Sequence, residues 1–150
     1  MSRVKSSAKF MAALMIMMGV STTHANTIYE QSVDVSELVS VYDGDTIKVN
    51  IAGWPHIIGR AINVRVHGVD TPEIRSYKCL EEKNLGEQAK HFTFDFVSSG
   101  KITLHNLQRD KYFRILADVK VDGVPLSRRL IEAGLAFEYY GGTKQSWCNG

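Results

Sequence analysis

Two segments near the middle of the chain alternate strictly between apolar and polar residues, which restricts the fold more than any other feature. In Thr46–Ile51, the residues Ile47, Val49 and Ile51 share one face, and segment 61–66 repeats the pattern. This period of two residues is typical of half-buried β-strands. The stretch between the two segments contains two glycines and a proline and is predicted to be a loop.

Helical and further strand patterns fill the rest of the chain. Leu85, Ala89, Phe92 and Phe96 recur at helical spacing, which predicts a helix over residues 86–97. The other predicted elements are strands at 33–42, 101–107 and 114–121, a short helix at 126–133 that ends at Gly134, and an extended piece at 135–140. Five strands, with one helix after the third and a short one after the fifth, favour a five-stranded OB-type barrel in a mainly β chain with helices (α+β). A small open α+β sandwich has the same order of elements and remains the alternative.

Residues 1–25 have the pattern of a secretory signal peptide. Arg3, Lys5 and Lys9 precede an uncharged apolar run at 10–20, and small residues lead to a cleavage site after Ala25. The apolar run is too short to span a bilayer. We therefore expect an exported protein, periplasmic or secreted, that has no membrane segment. Its mature part is predicted to be one domain at residues 26–150.

Loss of the signal peptide changes the charge of the chain. Three basic residues leave with it, so 15 of the 18 Lys and Arg remain against 16 Asp and Glu, and the formal charge becomes −1. A nucleic-acid-binding protein usually carries a basic surface. Any affinity for phosphate must therefore come from the local placement of basic residues and from a bound cation.

The two cysteines, Cys79 and Cys148, both lie in the exported part. In an oxidising compartment two cysteines predict one disulfide bond. Its closed loop is long, which corresponds to about 4 kcal/mol of stabilisation in the chain-entropy model.

Three polar clusters could carry chemistry. They are Asp43-Gly44-Asp45-Thr46, the segment 65–73, and the segment 109–114. Each has an ordinary structural explanation when taken singly: a hairpin turn, a capped loop entry and a solvated turn. Together they indicate a site, because neighbouring antiparallel strands would bring Asp45 and Asp70 to the same end of the strand pair. Two close carboxylates repel each other unless a cation or a proton lies between them, and an oxygen-only site suits Ca²⁺ or Mg²⁺.

Basic and acidic residues next to this acid pair suit phosphate chemistry. Arg65 lies on the outward face of the strand that leads to Asp70, and Arg114 begins the fifth strand. The planar guanidinium groups of two arginines can grip phosphate oxygens. Glu73 could then act as the base, or the orienting group, for an attacking water.

The three clusters, in this order and spacing, resemble the motif blocks of the staphylococcal nuclease (thermonuclease) family, and the stretch 130–136 extends the resemblance. The similarity covers roughly residues 36–140. It implies a calcium-dependent, sugar-nonspecific nuclease that cleaves DNA and RNA, prefers single strands and leaves 5′-hydroxyl and 3′-phosphate ends. We expect a monomer. A catalytically silent OB-type module that binds nucleic acid or protein is the alternative, but such a module has no need of the complete set of acids, base and arginines.

The resemblance also implies a role for each matching residue. Asp45 and Asp70 would bind Ca²⁺ through their side chains and Thr71 through its backbone carbonyl, with Asp43 in the same acidic pocket. Arg65, Glu73 and Arg114 would be catalytic. The residues that would bind substrate are Lys111, Tyr112 and Tyr140.

Phe113 and the loop around Trp54 are among the features that depart from the family pattern. Phe113 stands where the best-known members have glycine, next to Arg114. A bulky residue does not readily adopt positive φ, so we expect either a changed turn or a Phe113 that shapes the substrate side. The loop around Trp54 is longer than a strand connection needs, and the sequence assigns it no role.

Overall fold

The computed structural model describes residues 32–148, except for the side chain of Tyr112. The predicted signal peptide lies outside the described residues. The strands are β1 (Ser32–Asp43), β2 (Thr46–Ile51), β3 (Ile62–Val66), β4 (Val69–Asp70), β5 (Ile102–Arg109), β6 (Ile115–Val121), β7 (Val124–Pro125) and β8 (Phe137–Glu138). The α-helices are α1 (His56–Gly59), α2 (Leu80–Ser98) and α3 (Leu126–Glu132), and a 3₁₀ turn covers Lys111–Phe113. No helix within the described range 32–148 is long and apolar enough to cross a membrane.

Five of these strands form the closed barrel that the order of elements predicts. Strands β3, β2, β1, β5 and β6 are hydrogen-bonded neighbours in that order, each pair antiparallel. The barrel closes by parallel pairing of β3 with β6, where Val64 lies opposite Ile115 and Val66 opposite Ala117. Closure removes the exposed strand edges, and it decides against the open sandwich.

The inward faces of the strands form the core, as their alternation predicts. Ile47 and Val49 of β2, Val64 of β3 and Leu104 of β5 have no exposed surface. Leu130 of α3 is equally buried. A single hydrophobic core therefore fills the barrel and extends under the helices.

Helix α2 begins at Leu80, six residues before the predicted start at Gly86. The extra turn consists mostly of polar residues, which carry no apolar period, so the pattern could not include them. The predicted stripe is also displaced: apart from Ala89 its members are only half-buried. The most buried positions of α2 are instead Glu82, Gly86, Ala89, Thr93 and Val97. Small residues dominate this face because the helix packs closely against the loops of the site.

The predicted loop at 52–60 contains a single helical turn, α1, which follows Pro55. This turn packs on Trp54, and a Cβ atom at Gly59 would lie only 2.6 Å from the Cβ of Trp54. Glycine therefore permits the contact that folds the Trp54 loop back onto the barrel.

The C-terminal segment is fastened in three ways. Strand β8 pairs with β4, the rings of Phe137 and Trp147 stack with centroids 3.9 Å apart, and the predicted disulfide joins Cys79 to Cys148 with their Cα atoms 5.9 Å apart. The disulfide connects the residue before α2 to the tail across a sequence separation of 69 residues.

Candidate functional site

Strand pairing brings the two predicted acids together. Thr46 of β2 lies opposite Arg65 of β3, and the backbone N–H of Val66 donates to the carbonyl of Asp45 at 2.8 Å. The chain then turns at Gly68 and enters β4, which ends at Asp70. Asp45 and Asp70 are 2% and 3% exposed, so both carboxylates are buried at the same end of the barrel.

Arg65 joins the two acids. Its guanidinium contacts the carboxylate of Asp45 and lies 3.2 Å from Oδ1 of Asp70, and it also donates to the carbonyl of Val69 at 3.2 Å. Burial of the guanidinium opposes its charge, but the nearby carboxylates, Asp45 first, outweigh this effect and raise the pKa of Arg65 above its usual value. Arg65 is therefore a permanent cation of the site.

Asp45 is fixed by further hydrogen bonds. The backbone N–H of Thr71 donates to its Oδ2 at 3.0 Å, and the hydroxyl of Thr46 donates to Oδ1 at 3.2 Å. A buried carboxylate is stable only with such partners. These bonds also fix Thr71, the third predicted metal ligand, next to the acid pair.

Helix α2 positions both loops of the site. The hydroxyl of Thr93 donates to the carbonyl of Gly44 at 2.6 Å. A Cβ atom at Gly44 would lie 2.7 Å from the Cβ of Ala89, and one at Gly86 would lie 2.8 Å from the carbonyl oxygen of Pro72. Glycine is therefore required at both contacts, and the helix holds the Asp45 turn and the Glu73 loop at fixed positions.

Glu82 of α2 is a residue that the sequence analysis did not identify. Its carboxylate is buried and accepts hydrogen bonds from the backbone N–H of Lys78 at 2.6 Å and from that of Glu73 at 3.5 Å. It thereby fixes both ends of the loop that carries Glu73. The available signal was its position four residues before Gly86, on the face that packs against this loop.

Lys144 is the second residue that the sequence analysis missed. Its ammonium lies 2.7 Å from Oδ1 of Asp70 and 3.1 Å from Oε1 of Glu73. Partial burial opposes the charge, but the hydrogen bonds to Asp70 and Glu73 raise the pKa of Lys144 above its usual value. No sequence pattern marks this lysine, because the tail brings it to the site from 71 positions beyond Glu73.

The site has more negative than positive charge. Four carboxyl groups lie in it, against two cations that contact them in the described part of the chain: Asp43, Asp45, Asp70 and Glu73 against Arg65 and Lys144. Burial, and next the charge of Asp45, raise the pKa of Asp43 to about 7. A carboxyl group with a pKa of about 7 is only partly ionised at neutral pH, so the excess lies between about one and two negative charges. Such an excess among oxygen ligands fits a hard divalent cation such as Ca²⁺ or Mg²⁺.

The side chains alone do not complete a metal shell. Among the described residues, the one group of three cysteine, histidine or acidic ligand atoms within 4.8 Å of one another is Cys79, Glu82 and Cys148, and both of its sulfurs belong to the disulfide. A cation at Asp45 and Asp70 would therefore also need backbone oxygen and water, as hard cations commonly do. The carbonyl of Thr71 is the predicted backbone donor.

Arg114 follows the 3₁₀ turn and is oriented by Asp110. Its Nε and Nη2 atoms lie 2.8 and 2.6 Å from Oδ2 of Asp110. The expectation of a changed turn is wrong, since Phe113 adopts the left-handed conformation with φ 59°. Its side chain is 89% exposed, which is why the turn can accept the bulky residue there without a steric clash in the core.

A cavity of about 750 Å³, here called the charged cavity, brings the predicted residues together. Arg65, Glu73, Lys111, Arg114 and Tyr140 all line it. The buried acid pair is joined to it through Arg65. The charged cavity thus collects the predicted catalytic residues and two of the three predicted substrate contacts, while the side chain of Tyr112 lies outside the description.

Tyr140 is held at the rim of the charged cavity. Its ring packs edge-on against His67, with centroids 5.6 Å apart, and Gly68 lies close beneath it. His67 is in turn fixed by Asp118, whose Oδ1 lies 3.0 Å from Nδ1. Tyr140 is 77% exposed, so most of the residue is accessible to a ligand.

Comparison with known proteins decides the family. Residues 63–147 match the family model described as staphylococcal nuclease homologue. The chain belongs to this family. The match contains Arg65, Asp70, Glu73 and Arg114, whereas Asp45 precedes it and joins the site through the pairing of β2 with β3.

Three curated relatives of this staphylococcal nuclease homologue are bacterial proteins named as endonucleases. SPbeta prophage-derived endonuclease YokF of Bacillus subtilis strain 168 is 38% identical over 111 residues, which are 71% of this chain and 34% of the relative. Endonuclease YncB of the same strain is 40% identical over 98 residues, 63% of this chain and 43% of the relative. A protein named uncharacterized endonuclease in Escherichia coli is 29% identical over 103 residues, 68% of this chain and 59% of the relative. The chain thus spans about two fifths of the length of the two Bacillus relatives.

Members of the staphylococcal nuclease homologue family use metal ions in catalysis. The excess of carboxylates at Asp45 and Asp70 agrees with this property.

Proposed function

We propose that this protein is a metal-dependent nuclease that hydrolyses phosphodiester bonds of DNA and RNA. The observation that carries the proposal is the charged cavity, where Arg65, Arg114 and Glu73 meet beside the buried carboxylates of Asp45 and Asp70. A module that only bound nucleic acid would have no use for buried acids at its phosphate site, since they repel the ligand.

The two arginines would bind the scissile phosphate. Arg65 is held by its ion pairs with Asp45 and Asp70, and Arg114 is held by its ion pair with Asp110. Their positions are therefore fixed before substrate arrives. Fixed donors aimed at the phosphate oxygens stabilise the negative charge that grows there in the transition state.

Glu73 would act on the attacking water. Its carboxylate is 42% exposed and lines the charged cavity, and its backbone is fixed by Glu82. Glu73 accepts a proton from the water, the water oxygen bonds to phosphorus, and the bond from phosphorus to the 5′-oxygen breaks. The 5′-oxygen takes up a proton from solvent water, and Glu73 returns its proton to solvent, which leaves a 5′-hydroxyl and a 3′-phosphate.

We further propose Ca²⁺ as the cation, held by the side chains of Asp45 and Asp70 and by the carbonyl of Thr71. When bound, the cation supplies positive charge that attracts the phosphate and stabilises its transition state. The ammonium of Lys144 contacts Asp70, one of the proposed ligands of the cation. Lys144 therefore has to move away from Asp70 for the cation to bind. Because the mature chain has a formal charge of −1, substrate binding relies on this local charge.

The same proposal includes the substrate form and the location. Lys111 and Tyr112 would contact the phosphate next to the scissile one, and Tyr140 would stack on a base. Stacking on a base favours single-stranded substrates. The enzyme would act as a monomer. The disulfide supports export to the periplasm or the medium, because disulfides persist in oxidising compartments.

The test is cleavage of single-stranded DNA and RNA by the purified mature protein with Ca²⁺, with Mg²⁺ and with chelator. We expect cleavage with Ca²⁺ that stops on chelation, and 3′-phosphate on the products. Glu73→Gln serves as the matched control, since it keeps the size of the side chain and should lower kcat by orders of magnitude. Undiminished cleavage in chelator would exclude the metal. Binding without cleavage under all three conditions would favour the silent module.

A further inference from the structure

An apolar cleft of about 320 Å³ lies beside the charged cavity and has no part in the chemistry described above. Three half-buried residues that pack against the barrel core, Trp54, Leu107 and Ile115, line its interior. Ile57 and Phe113 also line it, and each is 89% exposed. The volume falls within the range of about 300–1,000 Å³ that is typical of ligand sites.

The cleft exists because the Trp54 loop folds back. Helix α1 packs on Trp54 through Gly59 and carries Ile57, which lines the cleft. A plain hairpin between β2 and β3 would not supply these side chains. The extra length of this loop, which the sequence left without a role, therefore builds one wall of the cleft.

Phe113 is exposed to solvent although its backbone conformation is strained. It adopts φ 59°, a conformation that glycine adopts without strain and that L-residues with a Cβ disfavour. Its side chain gains almost nothing from burial in exchange. Ala61, Asn106 and Asp122 also adopt positive φ, so the conformation alone does not mark a site. Phe113 differs from them because its conformation places an exposed aromatic ring next to Arg114.

The cleft adjoins the charged cavity. Gln108 and Arg114 line both, and Arg109 adds a second positive charge to the lining of the cleft. A polynucleotide whose phosphate lies at Arg65 and Arg114 would therefore have its neighbouring nucleotide at the opening of the cleft. The occupant must be apolar on its faces and attached to a phosphate chain.

We propose that the apolar cleft is a nucleobase subsite, which binds one unpaired base of the strand under attack between Phe113 and the Trp54 loop. This inference rests on the proposed nuclease function and adds a binding site to it. Bases of any sequence can stack on an aromatic ring. A base can enter the cleft only when it is unstacked and unpaired, so the subsite selects open strands without reading their sequence.

The test compares an intact single-stranded oligonucleotide with copies in which one nucleotide is abasic, at successive positions. In the wild-type enzyme, an abasic residue at one fixed distance from a linkage should lower kcat/KM for that linkage about fivefold to a hundredfold, the range for one base–aromatic stack. Phe113→Gly should bring the ratio between intact and abasic strands towards one, and it introduces the residue that suits the backbone conformation. Ile57→Ser, a change at the other highly exposed residue that lines the cleft, should shift the ratio in the same direction.

Phe94→Ala is the matched control, because Phe94 is an exposed phenylalanine of α2 that lines neither cavity. It should keep the wild-type ratio.

An unchanged ratio in Phe113→Gly would overturn the subsite. An equal loss on intact and abasic strands would also overturn it, because this result would mean that Phe113 only positions Arg114. A shift from dimer to monomer on Phe113→Gly, with the ratio preserved, would show that the cleft binds a second copy. If the wild-type enzyme cleaved no strand, the nuclease proposal itself would fail, and this result is separate from the others.

Discussion

The charged cavity and the apolar cleft meet at Gln108 and Arg114, yet they are built in opposite ways. In the charged cavity, buried acids and Arg65 hold one another, and α2 fixes the loops behind them. In the cleft, Ile57 and Phe113 stand in solvent, and the backbone at Phe113 is strained. The residues of the charged cavity are held by contacts with one another. The exposed side chains of the apolar cleft make few such contacts and are available to a ligand.

This difference separates chemistry from recognition. Groups that stabilise a transition state must be positioned before substrate arrives, so they need many internal partners. A surface that accepts any base needs only a flat apolar face and access. The comparison therefore predicts that substitutions will affect turnover on one side of Arg114 and discrimination between substrates on the other.

The largest effect is expected at the residue that both cavities share. Arg114→Ala removes a fixed donor to the phosphate and should lower kcat about 10²- to 10³-fold. Arg114→Lys should recover only part of this loss, because an ammonium lacks the planar fork. Steady-state kinetics on single-stranded DNA measures both, with the exposed Arg128→Ala as control. Normal turnover by Arg114→Ala would mean that the phosphate binds elsewhere.

A smaller effect, on Ca²⁺ affinity, is expected at Lys144, whose ammonium competes with the cation for Asp70. Lys144→Met removes a cation that contacts Asp70 and Glu73, and should tighten Ca²⁺ binding about fivefold, since a partly exposed ion pair is worth about 1 kcal/mol. Isothermal titration calorimetry without substrate measures this change. Lys101→Met, which removes an exposed lysine paired with Asp34, should leave the affinity unchanged. Weaker Ca²⁺ binding in Lys144→Met would show instead that the lysine helps to assemble the site.

The smallest expected effect is on the free energy of unfolding, for substitutions of residues that line the apolar cleft. Phe113→Gly should change the free energy of unfolding by less than about 1 kcal/mol, because relief of the left-handed strain is offset by the added freedom of the unfolded chain. Trp54→Ala should lower it by at least about 2 kcal/mol, since Trp54 packs against the core. Urea unfolding of both variants tests this contrast. A loss at Phe113→Gly as large as that at Trp54→Ala would make Phe113 a structural residue.

The sequence predicted the barrel because its strands have one polar and one apolar face, as in Thr46–Ile51 and Ile62–Val66. It missed the first turn of α2, where polar residues hide the helical period. It also placed Asp45, Asp70 and Arg65 together, since β2 and β3 had to pair and their ends had to meet. Glu82 and Lys144 were missed because their partners lie in segments whose approach no local pattern encodes.

The sequence by itself therefore determined the strands and the charged motifs, which depend on local periodicity and on the pairing of neighbouring strands. It also determined the disulfide, because two cysteines allow only one pairing within the chain. Only the tertiary structure decided the parallel closure of β3 with β6, which brings Arg114 to the acid pair. It alone also decided that Trp54 and Phe113, 59 positions apart, line the same cleft. The physical reason is that apolar packing is not directional, so a contact between distant segments leaves no pattern in either of them.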